Sequence, residues 1–412
     1  MLQFDPPSSP VDAQRQAPPR HERDSPHAWR IVIAGFIATS TLFGAVYSFG
    51  DFFKPIATEF GANHESMSTI FSVTAFLYFV LGPITGHLAD RLGPRAVVAT
   101  GAILMGLGLV STALIESVWA AYFTYGLGVG CGVAFCYVPL IAATSGWFLK
   151  RRNTALGIAV SGIGAGTLAV PPVAAVLIEH FGWRGAYAIM GVAVALILLG
   201  CALLAEPPPV ELEAAAPRLR ETLRAPDFVL LYFAGMLWTV ATAVPFVFLT
   251  PYAQGQGIGP VRASTLLGFI GLASTSGRLG LGALADRLGI VRLYQGCILT
   301  LGLSYLIWLD SHSYTGLALF AIAMGASYGG AVTLTPAVLA ELFGTQGLGL
   351  TLGMLYTGSA LGTLLGPPVC GAIVDRSGSY WYAIAFTGAT ALVAVMILLP
   401  LGRLRPIAST AA

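Results

Sequence analysis

Charge is what this chain has least of. Only 10% of its 412 residues are Asp, Glu, Lys or Arg, where an ordinary soluble domain carries about 25%. A water-facing globule is therefore excluded. The five cysteines, Cys131, Cys136, Cys201, Cys297 and Cys370, fall in apolar stretches and in no metal or disulfide spacing, so reduced packing residues are expected. The six histidines form no metal or nucleophilic constellation. Gly162-x-Gly164-x-Gly166 has the spacing of a nucleotide loop, but it lies inside an apolar run with no strand before it. Close helix packing is expected there instead. No catalytic centre, cofactor, metal or nucleic-acid partner is expected. Within residues 1–28 no apolar core follows the early charges, which argues against a cleavable secretory signal and for a disordered cytoplasmic tail.

What is present is apolar surface and glycine. Apolar residues make up 56% of the chain and 50 residues are Gly; the mean hydropathy is +0.78. A membrane span needs roughly 20 apolar residues. Twelve such stretches lie near 30–52, 66–88, 96–115, 118–146, 153–178, 184–205, 228–252, 263–284, 292–309, 314–340, 347–373 and 380–401. Without water in the hydrocarbon the backbone must satisfy itself, so helices are expected, and small residues let them approach closely. The fold class expected is an all-α membrane protein, twelve transmembrane helices in two six-helix pseudo-repeats.

The repeat is written in the residues. Leu88-Ala89-Asp90-Arg91-Leu92-Gly93 recurs unchanged as Leu284-Ala285-Asp286-Arg287-Leu288-Gly289, 196 residues later. The same offset maps Gly86 onto Gly282, Pro171-Pro172-Val173 onto Pro367-Pro368-Val369, Glu179 onto Asp375 and Gly182 onto Gly378. Repeated halves in a very apolar chain point to a secondary transporter with its site between the halves. The organisation expected is a tail 1–28, a first bundle 29–205, a cytoplasmic linker 206–226, a second bundle 227–402 and a tail 403–412. With the N-terminus inside, sixteen Lys and Arg fall on the inner side and four, Lys54, Arg184, Arg262 and Arg376, on the outer. The positive-inside rule then puts both termini in the cytoplasm. An integral protein of the cytoplasmic (inner) membrane, lipid-embedded and monomeric, is expected.

One cation belongs to neither set. Arg278 lies inside the eighth span, eight residues before Asp286, about 12 Å inside the loop at 1.5 Å per residue. Thr275, Leu281, Ser274 and Gly282 occupy i±3 and i±4, so no acid accompanies it. A lone Arg at this depth costs above about 2.5 kcal/mol unless it meets water or an anion. Its planar fork matches a carboxylate or phosphate; the other reading is snorkelling to the interface. One cation suits a monoanion with a short apolar body. Tyr47, Tyr137, Ser161, Ser274, Tyr328, Tyr356 and Ser359 are the polar candidates to line its cavity. Gly362-x-x-x-Gly366-Pro367 could bend span 11 or simply pack.

Inward movement of an anion against an inside-negative potential costs about 2.3 kcal/mol per 100 mV. A cation must accompany it or another anion must be exchanged. Asp51, one turn beyond Tyr47, is the candidate proton site; the other reading is an ion pair with Lys54 three residues on.

Twelve spans, a 6+6 repeat and Gly86-x-Leu88-Ala89-Asp90-Arg91-x-Gly93-x-Arg95 between spans 2 and 3 resemble the major facilitator superfamily over about 30–402. The resemblance implies a cytoplasmic gating latch of Gly86, Asp90, Arg91 and Arg95, with Gly282, Asp286 and Arg287 as its second copy. In it, Asp accepts from a helix N-terminus and Arg pairs across the halves. Tyr47-Ser48-Phe49-Gly50-Asp51-Phe52-Phe53-Lys54-Pro55, Trp147-Phe148-Leu149-Lys150-Arg151-Arg152 and Asp375-Arg376-Ser377-Gly378-Ser379-Tyr380 are similar to the monocarboxylate transporter family and its bacterial oxalate/formate-antiporter relatives. That resemblance makes Arg278 the carboxylate-binding arginine, with Tyr328 and Tyr137 in the same cavity. It implies transport of a small organic monocarboxylate by alternating access, proton-coupled or by anion exchange. Two departures stand out. The lysine and aspartate of the mammalian proton relay are replaced here by Tyr47 and Ser274. The second cation of the oxalate/formate antiporters, in span 11, is replaced by Ser359, which argues against a dicarboxylate. Alternatives are efflux of an amphipathic drug or metabolite, and a non-transporting anion sensor.

Overall fold

The structure, a computed structural model, describes residues 24–207, 219–344 and 348–401. The tail 1–23, the linker segment 208–218 and the C-terminal tail lie outside the described residues. The described chain is almost wholly helical. Its long helices are α1 Ala28–Phe60, α2 His64–Leu92, α3 Pro94–Thr112 and α4 Val118–Trp147. Then comes one run, Arg152–Leu204, that leaves helical geometry at Gly182 (φ 68°, ψ 169°). Its arms, 152–181 and 183–204, are α5 and α6; only glycine takes that turn without strain. A short helix, Leu219–Arg224, precedes α7 Pro226–Gly255, α8 Pro260–Leu288, α9 Ile290–Asp310, α10 Tyr314–Phe343, α11 Leu348–Ser377 and α12 Tyr380–Leu398. Among the described residues, ten helical runs are long and apolar enough to cross a membrane by length and composition. One of the ten holds both α5 and α6, and α8 stands outside them.

The ends of the described chain, near Asp24 and Leu401, lie at what is called here the terminal end. Residues 60–64, 255–260 and 376–380 form the distal end. Residues 24–28, expected to close a disordered tail, are ordered. Asp24 accepts from the backbone N–H groups of Leu149, Lys150 and Arg151, and Ala28 opens α1. The Lys150 N–H, foremost among these donors, holds the Asp24 carboxyl below its ordinary range.

Glycine sets the contacts between helices. A side chain at Gly162 or Gly166 would collide with α1 at Phe36, Thr39 and Ser40, and one at Gly164 with Thr275 of α8. The Gly-x-Gly-x-Gly run is therefore a packing surface, as its apolar setting implied. Gly362 and Gly366 do the same for α11 against Met236 and Val240 of α7, and α11 stays one unbroken helix. Prolines are accommodated by other helices. Pro245 has no N–H for the Ala241 carbonyl, and the Tyr305 hydroxyl of α9 donates to it instead.

The halves are joined from the distal end to mid-depth. Asp375 of α11 accepts from the His64 and Glu65 N–H groups (3.0 and 2.9 Å) at the N-terminus of α2, where a carboxylate meets the positive end of the helix. A Cβ on Gly371 would stand 2.7 Å from the Glu65 backbone, so these helices touch main chain to main chain. At mid-depth the rings of Phe79 (α2) and Tyr356 (α11) are 5.9 Å apart. Toward the terminal end Asp90, Arg91, Arg152, Arg287 and Glu341 are exposed.

Candidate functional site

Arg278 sits where close helix packing brings tyrosine to it. A Cβ on Gly325 would meet Ile270 at 2.5 Å, and those on Gly277 and Gly329 would collide with Ala326 and Ser274. With α8 and α10 so close, the Tyr328 ring comes beside Arg278, its centroid 5.8 Å from the guanidinium carbon. The Tyr328 hydroxyl meets the Tyr47 hydroxyl of α1 at 3.3 Å. Tyr47 in turn stacks on Phe246 of α7, 3.9 Å apart and 11° from parallel. The electrostatic reach of Arg278 extends to the hydroxyls of Tyr47 and Tyr137. Both halves thus contribute to one aromatic chamber around one cation.

Arg278 is 7% exposed, which excludes snorkelling to an interface. Its Nε, Nη1 and Nη2 have no hydrogen-bond partner among the described residues, nor has the buried Ser274 hydroxyl one turn earlier. Residues four apart share a helix face, so an unsatisfied fork and an unsatisfied hydroxyl line up together. Buried donors are nearly always paired in a folded protein. An anion with two oxygens in one plane satisfies this set.

Of the residues singled out in the sequence, the structure brings Arg278, Tyr328, Tyr47 and Tyr137 into one neighbourhood. Tyr356 joins its edge, against Phe79. Ser359 is buried in α11, and the Ser161 hydroxyl bonds back to the Ile158 carbonyl of its own helix; no described contact ties either to Arg278. Residues missed in the sequence are Phe43, whose ring packs on Tyr47, Tyr78 and Tyr137, and Phe246 and Trp238, which flank Tyr328. The Phe43–Tyr47 spacing of four residues was the available signal; nothing local marks the α7 pair.

Asp51 differs from its ion-pair reading. It is 3% exposed, while Lys54 is exposed and forms no salt bridge with it among the described residues. Its Oδ1 accepts from the Ser264 hydroxyl of α8. Among the described residues its Oδ2 has no partner at hydrogen-bond distance, nor has the buried hydroxyl of Thr250 on α7, which faces it. Asp51 also lines a surface cleft of about 470 Å³ with Lys54, Glu59, Gln254 and Pro260. Nearby, His64 bridges the halves with both ring nitrogens, Nδ1 to Asp375 Oδ1 at 2.7 Å and Nε2 to the Tyr380 hydroxyl at 2.9 Å.

At the terminal end the first latch copy makes no contact across the halves among the described residues. Gly86 packs on Val138 of its own half. Asp90 and Arg91 are exposed, and Arg95 donates to the Leu203 carbonyl of α6 at 2.6 Å. In the second copy Arg287 is exposed; the surroundings of Gly282 and the Asp286 side chain lie outside what is described.

The family model of the Major Facilitator Superfamily matches residues 31–309 and 281–411. Among curated relatives, monocarboxylate transporter 13 of Rattus norvegicus is 29% identical, covering 92% of this chain and 90% of its own. Monocarboxylate transporter 12 of Homo sapiens is 28% identical over 94% and 82%. Among solved structures, a bacterial homolog of the human lysosomal transporter Spinster, inward-facing and occupied, superposes with a TM-score of 0.75 at 17% identity, over 93% of this chain and 98% of its own. A peptide transporter POT mutant with sulfate gives 0.74 at 15% identity, over 92% and 95%. These two likenesses concern the fold.

Proposed function

The chain belongs to the major facilitator superfamily, an integral membrane transporter and not an enzyme, and we propose that it carries a small organic monocarboxylate by alternating access across twelve spans. The observation that carries this reading is the buried Arg278 with all three nitrogens unpaired, ringed by tyrosines from both halves. The guanidinium clamps the carboxylate, Ser274 adds a hydroxyl, and Tyr47, Tyr137, Tyr328 and Phe246 hold the body. The named relatives are monocarboxylate transporters, which favours a carboxylate over a phosphate. Charge balance comes from a proton or from exchange for another anion; Asp51 is the carboxyl we assign to proton binding, at the outer closure and apart from that balance. The terminal end is cytoplasmic and the distal end external, in the inner membrane, so the arrangement described is closed to the outside. The carrier works as a monomer. The test is flux of labelled monocarboxylates into proteoliposomes of the purified protein. Saturable uptake abolished at Arg278 supports the reading; no flux of any monocarboxylate, with saturable flux of an amphipathic cation, contradicts it.

The latch copies hold the cytoplasmic side closed in the other half of the cycle. Asp90→Asn or Asp286→Asn is expected to enrich the inward-open state about two- to fivefold, the worth of one exposed carboxylate at a helix terminus, with ligand affinity little changed. Accessibility labelling of a cysteine placed in the cavity measures this. Unchanged labelling together with a large loss of affinity would contradict the latch role.

A further inference from the structure

We infer that the distal end is an external proton switch, in which a proton on Asp51 holds the outer side closed. It rests on the alternating-access reading above. Three helices meet at Asp51: α1 carries it, α7 presents Thr250 and α8 presents Ser264. Closing the halves takes this carboxyl out of water without giving it a cation. The charged and titratable groups around it are few. Lys54 is exposed in the neighbouring cleft, Glu59 is engaged by Arg184 and Trp183, and Tyr187 of α6 lies within electrostatic reach. A buried carboxyl with hydroxyls alone for company is held in its neutral form. The proton forms an O–H bond at Oδ2 and is donated to the unpaired Thr250 hydroxyl, while Ser264 continues to donate to Oδ1.

The same joint is bridged by His64, between α2 and α11–α12, with Asp375 and Tyr380 facing it from the second half. Opening the outer side breaks this bridge and returns Asp51 to water, so its proton leaves.

The Asp51 proton goes back to the side it came from. Tyr47 lies four residues before Asp51 on α1, and Phe246 four before Thr250 on α7, so their stacked rings form a floor beneath the carboxyl. Below that floor is the Arg278 chamber; above it is the cleft. Acid outside therefore turns the carrier inward without itself being carried through this site.

The experiment is a distance measurement between spin labels on Ser117→Cys and Gln256→Cys, both exposed at the distal end on opposite halves, in lipid nanodiscs. Cys131, the one native cysteine not buried, is replaced by serine. No substrate is added, so the readout stands even if the substrate assignment fails. As pH falls from 8 to 5.5 the short-distance population is expected to grow, with the closed-to-open ratio rising up to about tenfold per pH unit for the one proton. Asp51→Asn should stay largely closed throughout, without a pH response. If Asp51→Asn fails to assemble, Ser264→Ala, which removes the hydroxyl that donates to the carboxylate, should shift closing to less acidic pH by about one unit, the loss of one hydrogen bond. A wild-type distance that ignores pH, or a variant with the wild-type pH profile, overturns the inference.

Discussion

Arg278→Lys is expected to leave the fold intact and to cut carboxylate transport roughly 10- to 100-fold. Lysine keeps the charge but offers a point donor in place of a fork. Losing one charge-assisted hydrogen bond is worth about 1.5–3 kcal/mol, and every 1.4 kcal/mol is about tenfold. The fold is spared because the guanidinium hydrogen-bonds to no described protein group, so no internal hydrogen bond is lost. The measurement is initial uptake in proteoliposomes, with the thermal midpoint of the purified variant as control. Near-normal uptake would remove Arg278 from the role of carboxylate clamp.

Ser359→Lys should turn the preference toward dicarboxylates such as oxalate. Around Arg278 the described residues supply hydroxyls and rings but no second cation. A dicarboxylate therefore leaves one charge unpaired in a low-dielectric chamber, a penalty of several kcal/mol. Ser359 is buried in α11, about one turn beyond Tyr356, which stands at the edge of the Arg278 cluster. Competition of mono- and dicarboxylates against a labelled monocarboxylate reads the outcome. Preference for oxalate in the unaltered protein, or competition by neither class, would refute the charge count and the substrate assignment together.

The all-helical membrane fold and the buried place of Arg278 were legible in the sequence because both are local signals. A charge deep in an apolar run is visible without neighbours, and so is a hexapeptide repeated at a fixed offset. Gly162, Gly164 and Gly166 were legible as a packing surface for the same reason, although which helix met which glycine was not. What escaped depends on distant partners. Asp51 and Lys54 stand three apart on one helix, and nothing nearby says that one is buried and the other exposed. That is decided by Thr250 and Ser264, some 200 residues on. His64 carried no local mark either; its bridge to Asp375 and Tyr380 exists only because Gly371 lets α11 reach the start of α2. Phe246 and Trp238 read as ordinary core residues until the ring of Tyr328 is placed between them.

The contact of Gly164 with Thr275 has a mechanical consequence. In the alternating-access cycle proposed above, bare backbone against a small side chain at the crossing of α5 and α8 would make a fulcrum, the point where one half rolls on the other with least to displace. Arg278 lies three residues from Thr275, about 4.5 Å along the axis, and Ser264 lies eleven residues the other way, about 16 Å. Displacement grows with distance from the pivot, so a given roll moves the outer closure three to four times as far as the guanidinium. The cargo rides close to the still point of the lever while the doors at its ends make the long excursions. A bulkier residue at Gly164 would then move the pivot itself, and with it the travel of both doors.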